Sequence, residues 1–317
     1  MPTTRSPRKG SLAYWPRRRA KKQTPVVRTF PVLKEPKLTG FAGYKAGMVT
    51  VMYRDTKKTS PTYNLEVSRS ATLVECPPLK IASVRFYRKN AYGWRVVTEV
   101  LNTKLDKELA RKISLPKEQK AVDLDKAAEK YDEVRMLVYT QPKLTTLETK
   151  RPHMFEMVVG GTKEDQLKFA KDYLDKELNI KDFFKAGDFV DFHAVTKGKG
   201  VNGPVRRYGV RLKSHKSEKS VRNAVLAAEG VAKVEYFSHQ AGQLGYHLRT
   251  DYDKMIMKVI EDVKGMKHMK HYGELNSPCL LIKGSIPGTQ KRIVRFHHTL
   301  KPKKKYSTQL PDIKIVN

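Results

Sequence analysis

The chain has 317 residues, 39% hydrophobic and 30% charged, and its 64 lysines and arginines against 32 acids give a formal charge of +32. That length suggests roughly two domains of about 150 residues with a sizeable core, and a globule so charged repels itself unless a polyanion covers it. Cys76 and Cys279 have no Cys or His neighbour at metal-ligand spacing, and no apolar run approaches the ~18 residues of a membrane span, which excludes a disulfide framework, a zinc site and a membrane-spanning helix.

In chain order, residues 1–37 hold 11 Lys/Arg, one acid (Glu35) and six prolines, with no helical or strand period. Such a segment is expected to order only against a partner. Pro2, Pro7, Pro16 and Pro25 break any amphipathic targeting helix, so a transit peptide is not expected. Trp15 sits beside Arg17, Arg18, Arg19, Lys21 and Lys22, a set suited to stacking on nucleotides and pairing with phosphates.

GFAGYKAGMVTVMYR, containing Lys45, predicts a turn feeding a strand. LEVSRSATLVEC, KIASVRFYR and WRVVTEV predict further strands. Between Leu101 and Val190 the charge changes to 18 basic and 17 acidic residues, so nearly the whole excess of cations lies elsewhere. VDLDKAAEKYDEV predicts a helix and VRMLVYT a strand. KEDQLKFAKDYLDKEL predicts a second helix, with apolar residues every three or four positions and Thr162 with Asp165 as its N-terminal cap. GDFVDFHAV, CLLIKGSIPGTQKRIVRF (two strands around Pro287-Gly288) and a basic tail follow.

VTKGKGVNGPVRRYG places Gly198, Gly200 and Gly203 at the spacing of a dinucleotide-binding turn. That chemistry needs a helix opening at the third glycine, whose free N–H groups hold the pyrophosphate. Pro204 suits a first helical position, but RRYGVRLKS alternates, with Tyr208, Val210 and Leu212 opposed to Arg207, Arg211 and Lys213, which predicts a basic strand. Pro204-Val205 stands where a Walker motif requires Lys-Ser/Thr. What remains is a flexible turn whose Lys197, Lys199, Arg206 and Arg207 suit a nucleic-acid backbone. QAGQLGYHLRTDYDK packs Gln243, Tyr246, His247 and Arg249 between glycines, a set able to stack, to meet 2′-hydroxyls and to pair with phosphate. The pairs His268/His271 and His297/His298 lack a third metal ligand, and no Ser–His–Asp constellation or acid/base pair emerges.

GSLAYWPRRRAKK, GFAGYKAGM, GDFVDFHAVTKGKGVNGPVRRYGV, QAGQLGYHLRTDYDK and LLIKGSIPGTQKRIVRF resemble, in order and over nearly the whole chain, the large-ribosomal-subunit protein three family in its archaeal/eukaryotic form. The resemblance implies a mainly β fold: a β-barrel of the translation-protein type, interrupted by an inserted α+β domain. It also implies a basic N-terminal arm and a long loop, both reaching into ribosomal RNA, the loop toward the peptidyl-transferase region, and a part in early subunit assembly. Lys197, Lys199, Arg206 and Arg207 would lie at the loop's root, Gln243, Tyr246, His247 and Arg249 on its return, and Trp15 and Arg17 to Arg19 in the arm. SVRNAVLAAEGVAKVEYFSH replaces the family's glycine-rich, tryptophan-bearing tip, and its AVLAAEG has helical character.

The expected organisation is an extension over 1–38, barrel over 39–100, insertion over 101–185, barrel over 186–300 with the loop at about 197–250, and a tail over 301–317. The expected function is structural and non-enzymatic, in the large subunit of a cytoplasmic ribosome. The expected partners are large-subunit ribosomal RNA and neighbouring ribosomal proteins, with no cofactor, metal, membrane or small-molecule substrate. The expected RNA contacts are the lysines, arginines, Trp15, Gln243, Tyr246 and His247 named above, and the neutral insertion is expected to add little affinity. The competing possibilities are a free-standing RNA-processing or RNA-modifying enzyme and a DNA-compacting protein; the first needs a clustered acid/base or metal site, the second a tolerance of duplex DNA.

Overall fold

A computed structural model describes residues 7–56, 58–116, 124, 131–212, 216, 233–263, 268–301 and 313–316. Among these the chain is mainly β, as expected. The first strands are β1 (Gly40–Arg54), β2 (Glu66–Glu75), β3 (Leu79–Asn90), β4 (Gly93–Leu101), β5 (Glu133–Thr140) and β6 (Met154–Val158). Helices α1 (Lys163–Tyr173) and α2 (Ile180–Phe183) precede β7 (Phe189–Val195) and β8 (Gly198–Asn202). Helix α3 (Pro204–Tyr208) is followed by β9 (Gly242–Gly245), β10 (Leu248–Ile260), β11 (Cys279–Lys283), β12 (Ile293–His298) and β13 (Ile313–Val316). The chain divides into two compact units, one of Met1–Lys21 with Val195–Leu248, the other of Lys22–Ala194 with Arg249–Asn317.

In the larger unit a seven-stranded sheet runs β12-β7-β10-β11-β2-β1-β13, and β12 also pairs with β1, so six of its strands form a closed ring of pairings. The length of β1 makes this possible. One of its edges takes β12 from Gly40↔His297 to Tyr44↔Ile293 and β13 from Thr50↔Val316 to Tyr53↔Ile313, while β2 follows the other edge. Alternate side chains point inward, and Phe41, Phe192 and Phe296 meet there, with Phe296 ring centroids 6.2 Å from Phe41 and 5.1 Å from Phe192.

A second, four-stranded sheet of this unit has the order β4-β3-β5-β6. Helix α1 begins where the sequence places it. The Thr162 hydroxyl accepts from the Asp165 amide, and the Asp165 carboxylate returns to the Thr162 amide. Phe169 and Ala170 are its buried apolar residues; of the expected positions Leu167, Ala170, Leu174 and Leu178, only Ala170 is buried within the helix. The helix ends at Tyr173, earlier than the periodicity predicts, because Leu178 leaves it to exchange backbone hydrogen bonds with Leu79.

Other departures are local. The predicted turn at Gly40 is the first half of β1. The expected glycine-rich turn at 198–202 is strand β8, and the predicted basic strand after Gly203 is helix α3. QAGQLGYHLRTDYDK, expected on the loop's return, spans β9 and enters β10. The helix predicted over 122–134 falls mostly outside the described residues; Glu133 and Val134 begin β5. AVLAAEG, at 224–230, lies outside them entirely. The arm is not shapeless before a partner arrives: Pro31 is buried, Leu33 O accepts from the Gly161 amide, and the buried Arg295 donates to Pro25 O at 2.9 Å and Glu156 O at 2.7 Å. Burial lowers the Arg295 pKa to about 9.

Candidate nucleic-acid interface

The smaller unit joins two segments distant in sequence that together contain 17 lysines and arginines against three acids. Its frame is a two-stranded antiparallel pairing, with Val201 opposite Gln243 and Asn202 opposite Gly242. At the base, Tyr246 N donates to Lys197 O at 3.1 Å and Thr196 N to His247 O at 3.0 Å. Gly245 makes the approach possible: its φ is +74°, and a Cβ there would sit 1.9 Å from Lys197 O.

Helix α3 follows from its end residues. Pro204 takes the first position, where a missing N–H costs nothing, and Gly209 at φ +72° stops the helix as its amide donates to Val205 O at 2.8 Å. The predicted alternation is therefore absent. One turn of helix swings Tyr208 inward, where it is 8% exposed.

The Tyr208 ring is the hub. Trp15 stacks on it at 5.7 Å, and the guanidinium groups of Arg17 and Arg207 lie 4.4 and 5.1 Å from its centroid. His239 meets its edge at 4.8 Å. Cations over an aromatic face are attracted by its quadrupole, so one ring holds two arginines of like charge. Arg207 also donates from Nε to Gln243 O at 3.1 Å and from Nη1 to Gln240 O at 2.9 Å, fastening the loop's outgoing limb to its return. The arm is tied to the same place: Arg17 Nη1 donates to Arg207 O at 3.3 Å, Ala20 N to Tyr246 O at 2.8 Å and His247 Nδ1 to Arg18 O at 2.8 Å. Nearer its start, Arg8 donates to Phe237 O at 2.8 Å and His239 Nε2 to Lys9 O at 2.5 Å.

Of the residues the sequence singles out, Trp15, Arg17, Arg207, Gln243, Tyr246 and His247 are wholly or partly buried in this junction. Arg18, Arg19, Lys21, Lys197, Lys199, Arg206 and Arg211 are exposed members of the same unit. Lys22, Lys45 and Arg249 belong to the larger unit instead. Lys45 donates to Ile286 O at 2.7 Å and Gly288 O at 3.2 Å in the Pro287-Gly288 turn, and Arg249 lies half-buried in β10. Lys213 is outside the described residues. The sequence does not disclose Tyr208 as the hub, nor His239 and Gln240 as its fasteners. The one local signal is an aromatic directly after Arg-Arg and before a glycine.

Other chemistry finds little footing. The three glycines of the dinucleotide spacing lie along β8 and at the cap of a five-residue helix, not in a turn between a strand and a long helix. Among the described residues no three His, Cys, Asp or Glu side chains gather as a metal site. His268 and His271 are exposed. His297 instead pairs with His193, Nε2 to Nε2 at 2.7 Å. His297 Nδ1 is 2.7 Å from the His298 carbonyl and so donates, which leaves its Nε2 to accept from His193 Nε2, while His193 Nδ1 accepts from Thr250 at 2.9 Å. This is a buried neutral pair with its hydrogen bonds satisfied, placed in the larger unit.

Comparison with known proteins agrees with the geometry. The chain is 37% identical to the large ribosomal subunit protein uL3 of Methanobrevibacter smithii, over 98% of this chain and 96% of that protein. It is 40% identical to the uL3 proteins of Methanosphaera stadtmanae, over 91% and 90% of the two chains, and of Archaeoglobus fulgidus, over 94% and 93%. A family model described as ribosomal protein L3 matches residues 1–316, and the chain belongs to the ribosomal protein L3 family.

Proposed function

We propose that this protein stabilises folded large-subunit ribosomal RNA through its smaller unit. Membership in the L3 family makes it a structural component of the large ribosomal subunit rather than an enzyme, and associates it with the ribosome. The observation that carries the finer assignment is the Tyr208 junction. It spends Arg17 and Arg207 on the chain's own carbonyls and ring, and so holds Arg18, Arg19, Lys21, Lys197, Lys199, Arg206 and Arg211 as an exposed cationic surface. Held close with few acids among them, those cations repel one another, and phosphates relieve the repulsion while releasing counterions. Two buried donors in the junction, Trp15 Nε1 and Arg17 Nε, have no acceptor among the described residues.

On this assignment the arm and loop enter RNA near the peptidyl-transferase region, the protein joins the subunit early, and it works in the cytoplasm beside neighbouring ribosomal proteins. The closed ring of β1, β2, β7, β10, β11 and β12 serves as the barrel, and the four-stranded sheet β4-β3-β5-β6 as the core of the module it carries. The test is sedimentation of the native protein through a sucrose gradient at low salt. Co-migration with large subunits and whole ribosomes is expected, and a protein confined to the light fractions would defeat the assignment.

A further inference from the structure

Lys22, Lys112 and Arg151 come from three separate stretches of the larger unit: the arm, the end of a 3-10 helix (Lys107–Arg111) and the approach to β6. They line one cavity of about 360 Å³, together with Thr24, Thr149 and His153. None of the lining residues is an acid. Elsewhere in this unit lysines meet carboxylates: Lys80 with Asp106 at 3.0 Å, Lys104 with Asp175 at 2.8 Å, Lys163 with Asp132 at 3.0 Å. Lys22, Lys112 and Arg151 make no such ion pair among the described residues.

The electrostatics of the cavity agree. Burial, then Arg151 and Lys22, lower the Lys112 pKa, so the lysine feels cations and no compensating anion. Burial, Lys112 and Arg151 push His153 down to about 4, leaving a neutral ring hydrogen-bonded through Nδ1 to Thr24 Oγ1 at 3.0 Å. The two threonines add hydroxyls, and the exposure of Lys22, Thr149 and Arg151 keeps the mouth open to a large ligand. Converging cations, hydroxyl donors and no carboxylate match a tetrahedral oxyanion. Lys22 also ends the run Arg17-Arg18-Arg19-Ala20-Lys21-Lys22, which favours a backbone phosphate of a long polyanion over a free ion.

We propose that this cavity binds a phosphate of the ribosomal RNA backbone, giving the protein a second anchor on the module whose charge count is near zero. The proposal rests on the ribosomal function above and stands against the expectation that the module adds little affinity, which the same titration decides. The full-length chain is titrated with large-subunit ribosomal RNA across a salt series. The double variant Lys112→Met/Arg151→Met, which keeps the apolar stems, is expected to bind with a log K against log salt slope shallower by about one, the change for one lost phosphate contact. Lys112→Arg/Arg151→Lys is expected to keep the parent slope. The melting temperature of the methionine variant should stay level or rise, because removing it relieves repulsion; if it falls, Thr149→Glu, which sets a carboxylate at the mouth, replaces it and is expected to make the slope shallower. Arg18→Ala/Arg19→Ala is run in parallel. A parent slope in the cavity variant beside a shallower slope in the arm variant would overturn the cavity site and leave the ribosomal function standing, whereas a parent chain with no salt-dependent RNA binding would overturn both. If inorganic phosphate shields Lys112 from acetylation and the RNA does not, the site serves a small anion and the RNA assignment falls.

Discussion

Tyr208 does with its ring what the sequence offers no means to foresee. Trp15, Arg17, Arg207 and His239 converge on it from the arm and from both limbs of the loop, while its hydroxyl takes no part. Tyr208→Phe should therefore leave the junction intact. Tyr208→Ala should cost roughly 3–5 kcal/mol at this unit, the range for deleting a buried aromatic, and should expose Arg17-Arg18-Arg19 to trypsin. Equal tryptic rates in the two variants would show that the ring is not the fastener. Gly245 is the backbone counterpart. Gly245→Ala forces both a left-handed conformation and a contact with Lys197 O, strain of about 1–3 kcal/mol before the clash is counted. Faster amide exchange at Val201, opposite Gln243, is the expected readout.

At the scale of elements, legibility followed the length of the pattern. The 11 residues of α1 give three turns of periodicity and a capping box, and its start at Thr162 and Lys163 was readable from residue types alone. Helix α3 has five residues, too few for a 3.6-residue period to differ from alternation, so its Arg and Tyr residues mimic a strand. Its real markers are the punctuation, Pro204 at the start and Gly209 at the end. The pairing of β7 with β12 sets His193 opposite Arg295 and diagonal to His297, whose ring it meets, through register that residue spacing does not encode. Burial, with His297 and Arg295, pushes His193 down to about 3, and burial lowers His297. With folded values below the ordinary 6.5, the unfolded chain binds more protons between the two. The stabilisation is thus complete above pH 6.5 and lost as pH falls toward about 3. Melting temperatures measured over that window should decline in the parent chain and decline less steeply in His193→Gln.

Over the whole molecule, charge is the organising quantity. The smaller unit, which combines residues 1–21 with 195–248, is where cations are least offset by acids, 17 against three, although the larger unit is also basic. A variant carrying alanine at Arg18, Arg19, Lys197, Lys199 and Arg206 should bind large-subunit RNA with a salt slope shallower by about one per lost phosphate contact. Adding Arg207→Ala should do something different, loosening the loop by freeing the carbonyls of Gln240 and Gln243. If Arg207→Ala alone lowers the slope without loosening the loop, its guanidinium serves phosphate instead.

Composition and motif order by themselves determined the class of partner, the mainly β character and the family, because these depend on residue types and their sequence, which a linear chain displays in full. Only the tertiary structure decided which cations are free. Arg206 and Arg207 are adjacent and chemically identical, yet one is exposed and the other is bound to a ring and two carbonyls. Lys21 and Lys22 are neighbours assigned to different units, and Lys22 meets Lys112 and Arg151 from a stretch whose charge sums to nearly nothing. Electrostatic partnership acts over a few ångströms in space, and net charge along a sequence averages away the contacts that folding creates.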